Sequence, residues 1–162
     1  MTIPPADTED RGQSDSSVSR NRRRIVVGVD GSASSDDALR YAARLAKGLD
    51  ASVEGIIAWA YPIALSAYAI STLPNLENEA RDAASAAADR VFGARRPEWF
   101  TLAVRNGNPA HVLIQESEGA EMLVVGSRGH GGFAGLLLGS VSAECAEHAK
   151  CPVLVVRESV AS

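Results

Sequence analysis

One stretch of this 162-residue chain concentrates the residue types that grip an anion. Gly126-Ser127-Arg128-Gly129-His130-Gly131-Gly132 follows a short apolar run, and Gly139-Ser140 opens the next amphipathic segment. Glycines let a backbone turn tightly and bring its N–H groups close to a ligand. A helix beginning at Gly139-Ser140 would aim its first N–H groups and its dipole at the same place. The Ser140 hydroxyl adds a donor and Arg128 a fixed positive charge, a combination that suits a phosphate chain. A second polar stretch, Gly28-Val29-Asp30-Gly31-Ser32, also ends an apolar run. Asp30 would be a poor phosphate contact because like charges repel, but it suits a ribose hydroxyl or a base amine.

Glycine-rich turns often do no more than reverse the chain, so the spacing has to discriminate. No GxxxxGK[ST] is present, which excludes a P-loop. Gly129-His130-Gly131-Gly132-Phe133-Ala134 matches GxGxxA. It follows the fourth strand instead of the first, and the acidic residues about twenty positions on fall in a helix, so a dinucleotide fingerprint does not fit. Val125-Gly126-Ser127-Arg128-Gly129 lacks the first glycine of a nucleophile elbow. His130 has the chemistry to touch a phosphate or act as a base, and the plainer reading, an exposed loop histidine, is preferred. His111 and His148 lie in separate helices without metal-ligand spacing. Cys145 and Cys151 form neither a CxxC pair nor a zinc framework, and no basic cluster lowers a thiol pKa there. Both are read as structural and partly buried. Trp59 and Tyr61 are candidates to stack on a base or to cover a loop.

The elements that must position these residues can be read from periodicity. With 46% apolar and 22% charged residues, the chain has the composition of one soluble globular domain that needs no metal or disulfide to fold. Residues 1–23 read as a disordered tail, because they hold too few large apolar side chains to offset ordering entropy. Of 20 acidic and 16 basic residues, four acidic and five basic lie before position 25, leaving 16 and 11 in the body. The run Arg22 to Arg24 is read as a solvated lead-in to a strand. An acidic body argues against nucleic-acid binding. No apolar run approaches the roughly 18 residues of a membrane span, and the polar N-terminus is unlike a secretory signal, so a cytoplasmic location is expected.

Ile25–Val29, Val53–Ala60, Trp99–Arg105, Met122–Val125 and Val153–Val156 read as strands. Between them fall helical patterns: one from Ser34 or Ser35 as N-cap, one from about Leu76, one capped by Asn108 with Pro109 at its first position and ending near Gly119, and one from Ser140 to Ala149. Buried strands joined by helical crossovers predict a parallel sheet with helices on both faces. The mainly apolar loop 62–74 follows a ligand-side strand end and is expected to fold over the ligand or join a dimer contact.

These residues closely resemble the universal stress protein family, whose ATP-binding branch is marked by G-x2-G-x9-G-[ST]. The match here is Gly126, Gly129 and, after nine residues, Gly139-Ser140. Ile25 to Ser32 is similar to the family's first strand, Gly107-Asn108-Pro109-Ala110 to its turn into helix three, and Pro152 to Val156 to its closing strand. The resemblance covers residues 24–157. It implies a Rossmann-like α/β fold with a five-stranded parallel sheet in the order 3-2-1-4-5, as one domain over residues 24–158 with a short tail at 159–162. It implies ATP as cofactor, with or without magnesium. Asp30 would hold the adenosine end, and Ala58 would contact adenine through its backbone. Gly28 would allow close approach beneath the nucleotide. Gly126, Arg128, Gly129, Gly139, Ser140 and Val141 would line the triphosphate. The expected activity is that of a dimeric, ATP-binding regulatory module in stress response, homodimerising through the last strand and acting on unknown protein partners. Catalysis would be at most a weak ATPase or autokinase. The alternatives are an ATP-cleaving enzyme of a related fold, or a protein-binding dimer with a vestigial or cyclic-AMP-binding site.

Overall fold

A computed structural model of the chain describes residues 23–61, 75–130 and 137–158. The expectations for residues 1–22, the loop 62–74, Gly131-Gly132 and the tail at 159–162 lie outside these residues, and Arg23, expected in the tail, begins the first strand. In chain order the elements are β1 (Arg23–Gly28), α1 (Ala33–Leu49), β2 (Ala51–Trp59), α2 (Leu76–Phe92), β3 (Phe100–Asn106), α3 (Pro109–Glu116), β4 (Met122–Gly126), α4 (Ser140–His148) and β5 (Val153–Val156). The five strands form one parallel sheet in the order β3-β2-β1-β4-β5, as expected.

The sheet is buried from both sides because its central strands carry apolar residues on both faces of the pleat. Ile25, Val26 and Val27 of β1 and Leu123 and Val124 of β4 have no exposed surface. Side chains of a strand alternate between faces. Ile25, Val27 and Val29 accordingly pack with Val53, Val124 and the α1 residues Leu39 and Ala42. Val26, Leu123 and Val125 point the other way, into a second core with Ile56, Leu113 and Cys145. Ala84, Ala87 and Ala88 are almost fully buried, and their small side chains bring α2 close to the sheet.

Two helix ends differ from the sequence reading by two residues or more. The N-cap of α1 is Ser32, whose extended backbone (φ −74°, ψ 158°) leaves its side chain to accept the Ser35 N–H. Gly31, at φ +82°, makes the turn that starts the helix early, so Ser34 and Ser35 are buried in its first turn. Helix α3 stops at Glu116, and the chain then turns through Ser117 to Gly119, which sits at φ +71°. The cap at Asn108, with Pro109 at the first position, is as expected, and its side chain accepts the His111 N–H. Among the described residues, no helix is long and apolar enough to cross a membrane.

The two thiols occupy different surroundings. Cys145 is fully buried, and burial, followed by the charge of Glu144, raises its pKa to about 11. Cys151 is half-buried. At pH 8 about one Cys145 in a thousand is a thiolate, and the thiolate is the reactive form. Native protein treated with maleimide at pH 8 is therefore expected to gain a single adduct, at Cys151, and a second only after denaturation. Intact-mass measurement checks this, and rapid double labelling of folded protein would contradict it.

Candidate functional site

In an open parallel sheet, ligands bind beyond the carboxyl ends of strands where the strand order reverses. Here that point lies between β1 and β4, which are hydrogen-bonded neighbours although α1, β2, α2, β3 and α3 separate them in the chain. A cavity of about 330 Å³ opens there. All nine residues singled out from the sequence line it: Gly28, Asp30, Ala58, Gly126, Arg128, Gly129, Gly139, Ser140 and Val141. A wider hollow of about 860 Å³ lies over α1 and β5 and includes Arg40, Tyr41, Arg44 and Arg157, but none of those nine residues.

The cavity has an apolar side made by Ile56, Ala58, Leu113, Val125 and Val141, with Pro109 at the start of α3. Leu113 and Pro109 were not anticipated. Their signal was present in the apolar face of α3, but only the fold turns that face toward the site. Residues of a parallel strand offer their N–H and C=O alternately to the two neighbours. The Ile56 carbonyl takes the Val29 N–H, and the Trp59 carbonyl takes the Gly107 N–H on the opposite side. Ala58, two residues after Ile56, therefore presents its backbone toward β1, which has already ended at Gly28. Trp59 and Tyr61 pack edge to face at 5.4 Å and are not among the described residues lining the cavity.

Asp30 stands on the exposed turn after β1. Its Oδ1 accepts the Ser32 N–H at 2.9 Å and the Ser32 hydroxyl at 2.5 Å. Its Oδ2 faces Gly129, close enough that a Cβ there would overlap it. The first turn of α1 adds Ser35, which lines the cavity and whose Oγ accepts the Asp30 N–H at 3.4 Å.

The glycines that line the cavity have different neighbours. A Cβ on Gly126 would sit 2.8 Å from the Ser34 carbonyl carbon and oxygen, so this glycine makes room for α1. A Cβ on Gly28 would press on Leu113 Cδ1 at 2.9 Å, so its small size serves packing against α3. Gly139 has ordinary room, with its nearest neighbours at 3.6 Å or more. Its N–H donates to the Ser127 carbonyl at 2.7 Å, which ties the start of α4 to the end of β4. The N-cap of α4 makes no side-chain cap bond, unlike those of α1, α2 and α3. Ser140, Val141 and Ser142 of the first turn of α4 line the cavity, as do Arg128 and His130. This part of the lining can receive an anion.

Comparison with known proteins agrees with this architecture. Residues 21–157 match the universal stress protein family. The chain is 35% identical over 144 residues to universal stress protein Rv2623 of Mycobacterium tuberculosis, covering 84% of this chain and 46% of that protein. The chain thus spans about half the length of the curated relatives it matches. Among solved structures, it is similar to UspA from Lactobacillus plantarum, with a TM-score of 0.67 and 22% identity over 83% of this chain and 97% of that one. It is also similar to a universal stress protein in complex with cAMP, with a TM-score of 0.54 and 34% identity over 85% of this chain and 98% of that one. From the match over residues 21–157, the chain belongs to the universal stress protein family.

Proposed function

We propose that the cavity between β1 and β4 binds ATP and that the chain is an ATP-binding member of its family, working as a dimeric regulatory module. The observation that carries this reading is the convergence of nine residues from distant parts of the chain on one cavity, whose lining combines apolar side chains with Arg128 and the first turn of α4. Its volume falls in the range of small-ligand sites. The base would lie against Ala58, Leu113 and Pro109, Asp30 would take the ribose, and the phosphates would meet Arg128, Ser140 and the N-terminus of α4. The dimer part rests on β5, a short, half-buried strand whose described partner is β4 alone. Such an edge invites a second copy. Cyclic AMP is the second reading, because a solved structure 34% identical to this chain carries it.

Titration calorimetry of ATP, ADP and cyclic AMP into nucleotide-stripped protein tests both readings, with sedimentation of the same samples for the dimer. Asp30→Ala is expected to weaken all three ligands. Arg128→Met is expected to weaken ATP about tenfold and cyclic AMP much less, because a charge-assisted contact to the outer phosphates is lost. No heat with any adenine nucleotide would remove the nucleotide reading. Equal loss of ATP and cyclic AMP in Arg128→Met would place the arginine elsewhere.

A further inference from the structure

Arg90 lies near the end of α2, which contributes no described residue to the cavity, yet its side chain reaches the turn after β1. Its Nε and Nη2 donate to Asp36 Oδ2 and Oδ1 at 2.6 and 3.0 Å, and Nη2 also donates to the Gly31 carbonyl at 3.3 Å. Asp36 is a carboxylate in the first turn of α1 with 7% of its side chain exposed. A buried carboxylate requires a partner, and the two-pronged guanidinium meets both oxygens while keeping a donor for a third acceptor. The hydrogen bonds to Asp36 raise the Arg90 pKa against the opposing effect of burial, so the group stays charged. Gly31 stands at φ +82° between Asp30 and Ser32, and both Ser32 donors hold Asp30 Oδ1. The peptide group whose carbonyl Arg90 meets is the one whose N–H, from Ser32, holds Asp30 Oδ1.

We propose that Arg90 is a positioning residue of the site: by gripping Asp36 and the Gly31 carbonyl together, it holds the Asp30–Ser32 turn in the orientation that meets the ligand. The proposal rests on the reading of Asp30 as the nucleoside contact. A lysine could neutralise Asp36 but lacks the planar fork that spans both acceptors.

The test is ATP titration into stripped wild type, Arg90→Lys, Arg90→Met and the pair Asp36→Asn with Arg90→Met, which leaves no stranded charge, each also in an Asp30→Ala background. Arg90→Lys is expected to melt near wild type and to bind ATP about tenfold more weakly. The double substitution is expected to lose a similar factor. In the Asp30→Ala background, changing Arg90 is expected to add less than about a twofold loss, because nothing remains to be positioned. Full affinity in Arg90→Lys and in the double variant would overturn the proposal, as would an undiminished loss without Asp30. If wild type binds no adenine nucleotide, the nucleotide reading fails by itself, and amide exchange in unliganded protein decides the positioning. The Ser32 amide, which donates to Asp30 Oδ1, is expected to exchange about tenfold faster in the double variant than in wild type, and equal rates would sink the idea.

Discussion

Replacing Gly129 with alanine is expected to weaken ATP binding roughly 10- to 100-fold while moving the melting temperature by no more than about 3 °C. The added Cβ would overlap Asp30 Oδ2, and Asp30 is an exposed side chain on a turn. The collision is therefore relieved by swinging the carboxylate away, which leaves the fold in place. The swing breaks the bonds from the Ser32 N–H and hydroxyl to Oδ1 and turns the acceptor out of the cavity. A hydrogen bond to a charged group contributes about 1.5–3 kcal/mol, which converts to the stated loss of affinity. Because both substitutions act on one contact, Gly129→Ala and Asp30→Ala are expected to be non-additive, the double variant binding little worse than either single one. Calorimetric titration of the four proteins, with a thermal melt of each, checks the pattern. Wild-type affinity in Gly129→Ala would mean that Asp30 does not meet the nucleotide in this geometry.

Gly126→Ala is expected to act on stability instead, lowering it by about 3 kcal/mol and the melting temperature by roughly 10 °C. Here the new Cβ meets main chain, the Ser34 carbonyl carbon and oxygen at 2.8 Å, and main chain cannot swing aside. The strand end is held from other directions as well. The Ser142 hydroxyl donates to the Gly126 carbonyl at 2.6 Å, the Ser127 N–H donates to the Val156 carbonyl at 2.7 Å, and the Arg128 N–H donates to Ser34 Oγ at 3.4 Å. Relieving the overlap means shifting α1 away from β4 and loosening these contacts. Gly139→Ala is the matched control. Its backbone lies at φ −71°, and its Cβ would meet the Arg128, Ser127 and Gly129 backbone at 3.6–3.8 Å, which is ordinary contact. Side-by-side calorimetric melts decide the matter: if Gly126→Ala melts with Gly139→Ala and wild type, α1 is not what requires this glycine.

Local pattern was sufficient for the elements and their order. The β-branched run at Ile25 to Val29, the apolar stripe of α1 and the Asn108-Pro109 start of α3 each depend on residues a few positions apart. The periods of strand and helix and the reach of a cap are set over the same distance. The parallel sheet follows from alternating these elements, and the glycine spacing from 126 to 139 marks one rim of the cavity. Even locally, the start of α1 was misplaced by two or three residues, because Gly31 had to adopt a positive φ for Ser32 to become the cap.

What the individual glycines are for was decided by the tertiary structure. In sequence, Gly126 and Gly129 are equivalent members of one motif. In space, one faces the backbone of α1 and the other a movable carboxylate, so the same added methyl has opposite consequences. The apolar wall from Leu113, the reach of Arg90 across 54 residues to Asp36 and the bond from the Arg128 N–H to Ser34 across 94 residues have no local signature. They arise because right-handed crossovers bring the ends of β1 and β4 side by side, and packing then sets which surfaces of the helices meet there.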